Sequence, residues 1–247
     1  MEISLAEYEQ RTAEAVALFW ESREKARRLN YGTDVGERSA VTSGKNMDGF
    51  ATLAKAVAVA NGLPESSVFS GADLHKTQRH ATLPGFYRPL KDWDLVIVHQ
   101  GKLVAALEFK SQTGPSFGNN FNNRCEEALG MGEDFRVAFR EGLLGPPPQP
   151  FTGYLMLLED TEASRRPVKL TSRHFPVDPA FEGTSYAQRY ELLCRRLMSE
   201  GLYKAAALLL SAPESGLEGA YVELDPTTGM KSFVATLAGH VAAAAAL

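Results

Sequence analysis

The sequence contains little cysteine, only Cys125 and Cys194 among 247 residues. Two thiols are too few for a disulfide framework, and no Cys/His spacing is typical of a zinc site. No apolar run approaches the roughly 18 residues of a membrane span, and the first residues lack the basic and apolar regions of a signal peptide. These absences exclude a disulfide-rich secreted module and a membrane protein. We therefore expect a cytoplasmic protein with reduced thiols.

The sequence also has no excess of basic residues, because it contains 26 lysines and arginines and 30 aspartates and glutamates, for a net charge of −4. This balance argues against a protein that coats nucleic acid without specificity. It is compatible with an enzyme whose basic groups are confined to one cleft. Apolar residues at 44% and charged residues at 23% are typical of a globular protein with an ample core.

Two apolar runs separated by the dipeptide Gln100-Gly101 predict a β-hairpin near the middle of the chain. Asp94 directly precedes the first run, and the second run ends with Glu108, Phe109 and Lys110. Side chains alternate faces along a strand, so Glu108 and Lys110 share one face while Phe109 points to the other. Charged groups at the end of an apolar hairpin need partners, since charges are rarely buried alone.

These residue types suit metal-assisted phosphodiester hydrolysis. The carboxylates of Asp94 and Glu108, with the carbonyl of Phe109, are the hard oxygen donors that Mg²⁺ prefers. Lys110 would position the attacking water beside the phosphate. Asp92 is the rival of Asp94 as first ligand, but Asp94 directly adjoins the apolar run. The alternative interpretation is a surface hairpin with a cross-strand salt bridge.

A polar loop is predicted directly after the hairpin, from Ser111 to Arg124, with four asparagines and no acid. Asparagine and glutamine can pair with adenine and arginine with guanine, while hydroxyl groups can contact phosphates. The alternative is an ordinary solvated loop, because Asn and Gly favour turns. The candidate DNA contacts in this segment are Ser111, Gln112, Asn119, Asn120, Asn122, Asn123 and Arg124.

The spacing of Asp94 from Glu108-x-Lys110 resembles the PD-(D/E)XK nuclease superfamily. The runs EFKSQTGPSFGNNFNNR and VGERSAVTSGKNMDGF resemble the XhoI-type restriction endonucleases more specifically, and the resemblance covers nearly the whole chain. It implies a prokaryotic homodimer that uses Mg²⁺ to cut both strands of double-stranded DNA at the palindrome CTCGAG, leaving 5′-phosphate ends. It also makes Arg38 and Lys45 candidate DNA contacts.

The remaining patterns predict a mixed α/β fold, with a mixed β-sheet flanked by helices and an αβββαβ core of the restriction-endonuclease type. The N-terminal half is expected to contain a helix over 4–29 with a Ser4/Glu7 capping box, a polar loop over 30–47, a helix capped by Asp48 and ending at Asn61-Gly62, a strand over 66–70 and an irregular basic segment over 71–91. A helix over 122–141 and a buried strand over 154–158 would follow the hairpin.

The C-terminal third is expected to be mainly helical. Its predicted elements are an irregular connection over 161–183, a helix from Thr184 or Ser185, an apolar helix over 202–210, an edge strand over 218–224 and a short, fraying helical tail. No linker divides the chain, so one domain over 1–247 is predicted, with a catalytic core over about 48–160 and a C-terminal helical part over about 184–247.

Two other functional classes fit the same residues. The same core serves nucleases of DNA repair and recombination that recognise DNA structure rather than sequence. A DNA-binding module without catalysis would use Asp94, Glu108 and Lys110 only as a salt-bridged group. Divalent-metal dependence separates the binding module from either nuclease, and fixed-length DNA fragments separate the two nucleases.

Overall fold

A mixed five-stranded sheet between two layers of helices forms the centre of the molecule. The computed structural model describes residues 3–29, 44–70 and 81–247. The strands in these ranges are β1 (Val68–Ser70), β2 (Thr82–Pro84), β3 (Leu90–Asp92), β4 (Leu95–His99), β5 (Lys102–Gln112), β6 (Phe151–Glu159) and β7 (Ala205–Ser211). The helices are α1 (Tyr8–Leu29), α2 (Asp48–Ala60), α3 (Phe117–Arg140), α4 (Glu162–Arg165), α5 (Tyr186–Ser199), α6 (Pro213–Gly216) and α7 (Met230–Ala245).

The central sheet has the strand order β1-β4-β5-β6-β7. Strand β5 pairs antiparallel with β4 on one side and parallel with β6 on the other. Strands β6 and β7 are almost wholly buried and carry nearly unbroken apolar runs, as expected of parallel strands covered on both faces. The order α2, β1, β4, β5, α3, β6 confirms the predicted αβββαβ core.

Each face of the sheet packs against its own set of helices. Apolar residues of α1, α2 and α7 cover the face to which Leu107 and Phe109 belong. Helix α5 and the N-terminal half of α3 cover the opposite face over β6 and β7. The C-terminal half of α3 covers β4 and β5 on that same face, where Phe135 packs near Trp93. None of the helices in the described ranges is long and apolar enough to cross a membrane.

The hairpin of β4 and β5 confirms the central prediction from the sequence. Gln100 and Gly101 have φ values of 49° and 74°, the left-handed conformations of a two-residue hairpin turn. The last paired residues at the open end are Leu95 and Leu107. Strand β5 runs on past that pair to Gln112, alongside β6 alone. The predicted site residues therefore lie where β5 extends beyond the end of its pairing with β4.

The predicted apolar helix over 202–210 is wrong, because these residues lead into and form strand β7. The run AAALLL has high helix propensity and no alternation, so local preference favours a helix. Pairing with β6, in the register Tyr154 with Ala206, buries the run on both faces and outweighs that preference. The sheet consequently extends into the segment expected to be helical.

The predicted irregular segment 71–91 contains the small antiparallel hairpin of β2 and β3, in which Thr82 pairs with Asp92. Each of its strands has three residues, too short for periodicity to reveal. Residues 71–80 lie outside the described ranges. The connection over 161–183 is irregular as predicted, apart from α4 and a short 3₁₀ turn over 179–181.

Several predicted boundaries need correction. The Ser4/Glu7 capping box is wrong: the Ser4 hydroxyl accepts from the amide of Ala6, and the helix begins only at Tyr8. Asp48 is the first residue of α2 rather than its cap. The predicted edge strand over 218–224 forms a single bridge, between Leu210 and Val222. The tail belongs to a sixteen-residue helix, since α7 buries a full apolar face against the sheet.

Candidate active site

Asp94 reaches across the open end of the hairpin to the backbone of β5. It directly precedes β4, and its Oδ2 accepts a hydrogen bond of 2.6 Å from the amide of Phe109. That amide lies beyond the last β4–β5 pair, so a carboxylate replaces the missing strand neighbour. In an extended strand the N–H and C=O of one residue point the same way. The carbonyl of Phe109 therefore faces the same edge as Asp94.

Glu108 is a buried carboxylate held between two lysines. Its side chain is 2% exposed. Lys110, two residues along β5, contacts Oε1, while Nζ of Lys91 on β3 lies 3.1 Å from Oε2. Burial without such partners would be strongly unfavourable for a charged group. Alternation along β5 predicted that Lys110 lies on the same face as Glu108, whereas the Lys91 contact depends on the β2–β3 hairpin that the sequence did not reveal.

The electrostatics of the site reflect two neighbouring carboxylates. Burial, and after it the charge of Glu108, raise the pKa of Asp94 to about 6, against the lowering effect of the Phe109 amide and of the two lysines. Burial lowers the pKa of Lys110, but the adjacent Glu108 carboxylate outweighs it and holds that pKa above its ordinary value. A cation beside Asp94 and Glu108 would relieve their mutual repulsion.

Asp92, the rival first ligand, is placed differently. Its exposed side chain accepts from the hydroxyl of Thr82 within the small hairpin. Asp94, by contrast, is half-buried and interacts electrostatically with Glu108. The geometry therefore brings Asp94, not Asp92, together with Glu108 and Lys110.

Glu108 and Lys110 line a cleft of about 410 Å³ that lies between the small β2–β3 hairpin and helix α3. Arg88 and Lys91 line it from the hairpin side, and α3 contributes carboxylates as well as apolar surface. The full lining is Arg88, Lys91, Glu108, Lys110, Glu126, Glu127, Gly130 and Met131. This cleft gives the lysines of the site access to a ligand from solvent.

The predicted recognition loop is largely helical. Helix α3 begins at Phe117, so Asn119, Asn120, Asn122 and Asn123 lie in its first two turns. The asparagines obscured this helix, since their intrinsic preference is for turns. Its buried side carries Phe117, with Phe121 packed against the same cluster. The boundary prediction is therefore wrong by about five residues, and the asparagines are presented by a rigid element.

Helical spacing places two of these asparagines on the cleft side of α3. Residues four apart share one face of a helix, so Asn123 lies one turn before Glu127 of the cleft. Asn122 lies one turn before Glu126, which also lines the cleft. Asn119 and Asn120 lie one turn further towards the N-terminus.

The other predicted DNA contacts occupy varied positions. Ser111 is half-buried, and its carbonyl accepts from Arg124 at 3.4 Å, while Arg124 also contacts Glu127. Gln112 is 3% exposed and accepts from the hydroxyl of Tyr190, so its position gives no support to base reading. Arg38 lies outside the described residues. Lys45 lies in a 3₁₀ turn over 44–47, and nothing is described of its side chain.

The donor set fits Mg²⁺. Asp94, Glu108 and the Phe109 carbonyl are hard oxygen donors near the open end of the hairpin, and burial, followed by the charge of Glu108, raises the pKa of Asp94. Across residues 3–29, 44–70 and 81–247, no three or more His, Cys, Asp or Glu side chains form a metal-holding group. Two carboxylates and a carbonyl leave the remaining positions to water or substrate, as is usual for Mg²⁺.

Known proteins with similar sequences are restriction enzymes. A family model described as restriction endonuclease XhoI matches residues 26–223. The type II restriction enzyme XhoI of Xanthomonas vasicola is 48% identical over 202 residues, 81% of this chain and 79% of the relative. The type II restriction enzyme BstVI of Geobacillus stearothermophilus is 43% identical over 221 residues, 87% of this chain and 96% of the relative.

A third relative, the type II restriction enzyme AbrI of Azospirillum brasilense, is 48% identical over 178 residues. That match covers 71% of this chain and 77% of the relative. No solved structure matches the chain.

Proposed function

Since this chain belongs to the XhoI restriction endonuclease family, we propose that it is a Mg²⁺-dependent type II enzyme that cuts double-stranded DNA at CTCGAG. The products would carry 5′-phosphate ends, and the enzyme would act in the prokaryotic cytoplasm. The observation that supports this function most is the meeting of Asp94, Glu108 and Lys110 at the open end of the β4–β5 hairpin. It is the site that the PD-(D/E)XK pattern requires, built on the matching αβββαβ core.

Asp94, Glu108 and the carbonyl of Phe109 would hold the metal. When bound, Mg²⁺ supplies positive charge that offsets the negative charge developing on the phosphate oxygens. Lys110, which contacts Glu108, would donate its ammonium hydrogens to water or phosphate in the cleft.

Lys110 would orient the attacking water. Its side chain is 22% exposed at the cleft, so the ammonium can hold a water oxygen beside the scissile phosphate. The water oxygen attacks phosphorus as the bond from phosphorus to O3′ breaks. The attacking water gives its proton to solvent water, and O3′ takes a proton from solvent water in the cleft, which leaves a 3′-hydroxyl and a 5′-phosphate. Lys91, on the other oxygen of Glu108, adds a second positive charge on the phosphate side.

Recognition of the palindrome would involve two copies of the chain. A two-fold symmetric DNA sequence is matched by a C2 homodimer in which each protomer reads one half-site and cuts one strand. The asparagines of α3, with Ser111 and Arg124 at the β5–α3 junction, are the contacts we propose beside the cleft. Arg38 and Lys45 remain proposed contacts from the resemblance alone.

The proposed specificity is tested with two matched duplexes. One contains CTCGAG and the other has a single pair of that sequence exchanged. Cleavage of the first alone, with Mg²⁺ and not with EDTA, is expected. Equal cleavage of both duplexes would contradict sequence recognition and favour a structure-specific nuclease. Binding without cleavage in Mg²⁺ would favour a DNA-binding module.

A further inference from the structure

The turn of the β2–β3 hairpin exposes three large apolar side chains. Phe86, Tyr87 and Leu90 have 47%, 68% and 57% of their surface accessible. The rings of Phe86 and Tyr87 pack edge to face, with centroids 5.0 Å apart. Such a cluster gains little from folding, since its side chains remain largely in water. Its surface is available for a ligand.

The turn is held rigidly to helix α3. Asp134, which is 3% exposed, accepts hydrogen bonds of 2.8 Å from the amides of Phe86 and Tyr87. It also accepts from Nε of Arg88 at 2.7 Å. A Cβ at Gly85 would lie 2.5 Å from the carboxylate, so glycine is required for this close approach. Because the bonds hold the backbone, the aromatic side chains are preorganised without being buried.

The same hairpin forms one wall of the catalytic cleft. Arg88 and Lys91 line the cleft, and Lys91 contacts Glu108 directly. Exposed rings and two cations on one rigid element complement DNA, which offers phosphates beside apolar sugar and base surfaces. Three apolar side chains are also few for a stable contact between protein copies, which buries about 800 Å² on each partner.

We propose that Phe86 and Tyr87 form a DNA-contacting tip that packs against sugar and base surfaces next to the scissile phosphate. Arg88 and Lys91 face the phosphates on either side of that contact. This inference rests on the proposed function, since it concerns the same DNA substrate. It assigns part of the substrate's positioning to a hairpin separate from the asparagine-rich start of α3.

The test compares four variants by their kcat/KM on a CTCGAG duplex with Mg²⁺. The double variant Phe86→Ala/Tyr87→Ala removes both rings but leaves the backbone bonds to Asp134. Tyr87→Phe keeps the ring, and Tyr87→Ala is the milder truncation should the double variant melt early. The matched control is Leu18→Ala, a 50% exposed apolar residue of α1 on the opposite face of the sheet.

The double variant is expected to lose about tenfold or more in kcat/KM, as for the loss of base stacking on an aromatic ring. Tyr87→Ala should fall between it and the wild type. Tyr87→Phe, which keeps the ring, should recover most of what Tyr87→Ala loses, while Leu18→Ala should stay near wild type. Unchanged kcat/KM in a folded double variant would overturn the inference. A double variant that sediments as a smaller species than wild type would also overturn it, because the tip would then join copies of the chain.

The inference and the proposed function fail in distinguishable ways. A wild-type protein that neither binds nor cuts any DNA would refute the proposed function, and this inference with it. A wild type that cuts CTCGAG, with a double variant that cuts equally well, would refute the DNA-contacting tip alone.

Discussion

Nζ of Lys91 lies 3.1 Å from Oε2 of Glu108, which joins the small β2–β3 hairpin to the end of the central strand β5. The contact spans 17 residues and brings a second ammonium group to a carboxylate that Lys110 already binds. Asp94 lies beside the same carboxylate, so two acids and two lysines share this corner of the molecule. Under the proposed function, a divalent cation at the carboxylates would leave the lysines free to donate to the phosphate.

Glu108→Gln and Lys110→Ala are each expected to reduce the single-turnover cleavage rate by about a thousandfold or more. The first removes a proposed metal ligand and the second the group that orients water. Asp92→Asn is the matched control, since Asp92 interacts within the small hairpin and should leave the rate near wild type. Rapid cleavage by either site variant would refute the assignment.

Lys91→Ala is expected to lower kcat/KM by about tenfold, because one of two positive charges beside the phosphate is lost. Lys102→Ala is its control, as Lys102 is an exposed lysine at the far end of β5. Both rates are measured at several salt concentrations. If Lys91 serves only to neutralise Glu108 for folding, the variant will melt at a lower temperature but cut normally, and the prediction will have failed.

Asp94 links stability to pH when divalent metal is removed. Its folded pKa, about 6, exceeds its ordinary 3.8, so protonation favours the folded state. This contribution is fully present below pH 3.8 and is lost as pH rises through about 6. Each unit of difference between the folded and the ordinary pKa corresponds to about 1.4 kcal/mol, so protonated Asp94 contributes up to about 3 kcal/mol to the free energy of unfolding.

Urea unfolding in EDTA at pH 5 and pH 8 tests this relationship. Asp94→Asn is expected to remove the part of the stability difference between pH 5 and pH 8 that comes from Asp94. The variant should therefore be more stable than wild type at pH 8. Added Mg²⁺ should stabilise the wild type at pH 8 and not the variant. A variant less stable than wild type at pH 8 in EDTA would show that the folded state does not raise the pKa of Asp94.

The asparagines at the start of α3 are expected to contribute to DNA recognition. Asn123→Ala, one turn before Glu127 of the cleft, should lower kcat/KM on CTCGAG by about tenfold, as expected for the loss of one base contact. The matched control is Gln10→Ala, which removes an exposed amide side chain from α1 on the opposite face of the sheet. Equal losses in both variants would contradict a DNA contact at Asn123.

The central part of the site could be predicted from the sequence because its residues are close along the chain. Glu108 and Lys110 share a face by strand alternation, and a two-residue turn fixes Asp94 opposite them. Lys91 could not be assigned to the site in the same way. Its contact depends on the β2–β3 hairpin, whose three-residue strands carry no periodic signal.

The errors in the fold have a common physical origin in tertiary packing. The run over 205–210 prefers a helix locally and becomes a strand because β6 pairs with it. The asparagines of 119–123 prefer turns locally and become helical because Phe117 and Phe121 pack beneath them against α5. In both cases the deciding contacts come from residues more than 45 positions away in the chain.

The most direct measurement of the central claim is a digest of phage DNA with the purified protein, with Mg²⁺ and again with EDTA. The account predicts discrete bands only with Mg²⁺, and mapped ends that all lie within CTCGAG. A smear in Mg²⁺ would contradict sequence-specific cleavage and leave a metal-dependent nuclease. Intact DNA in both lanes would contradict the enzyme itself.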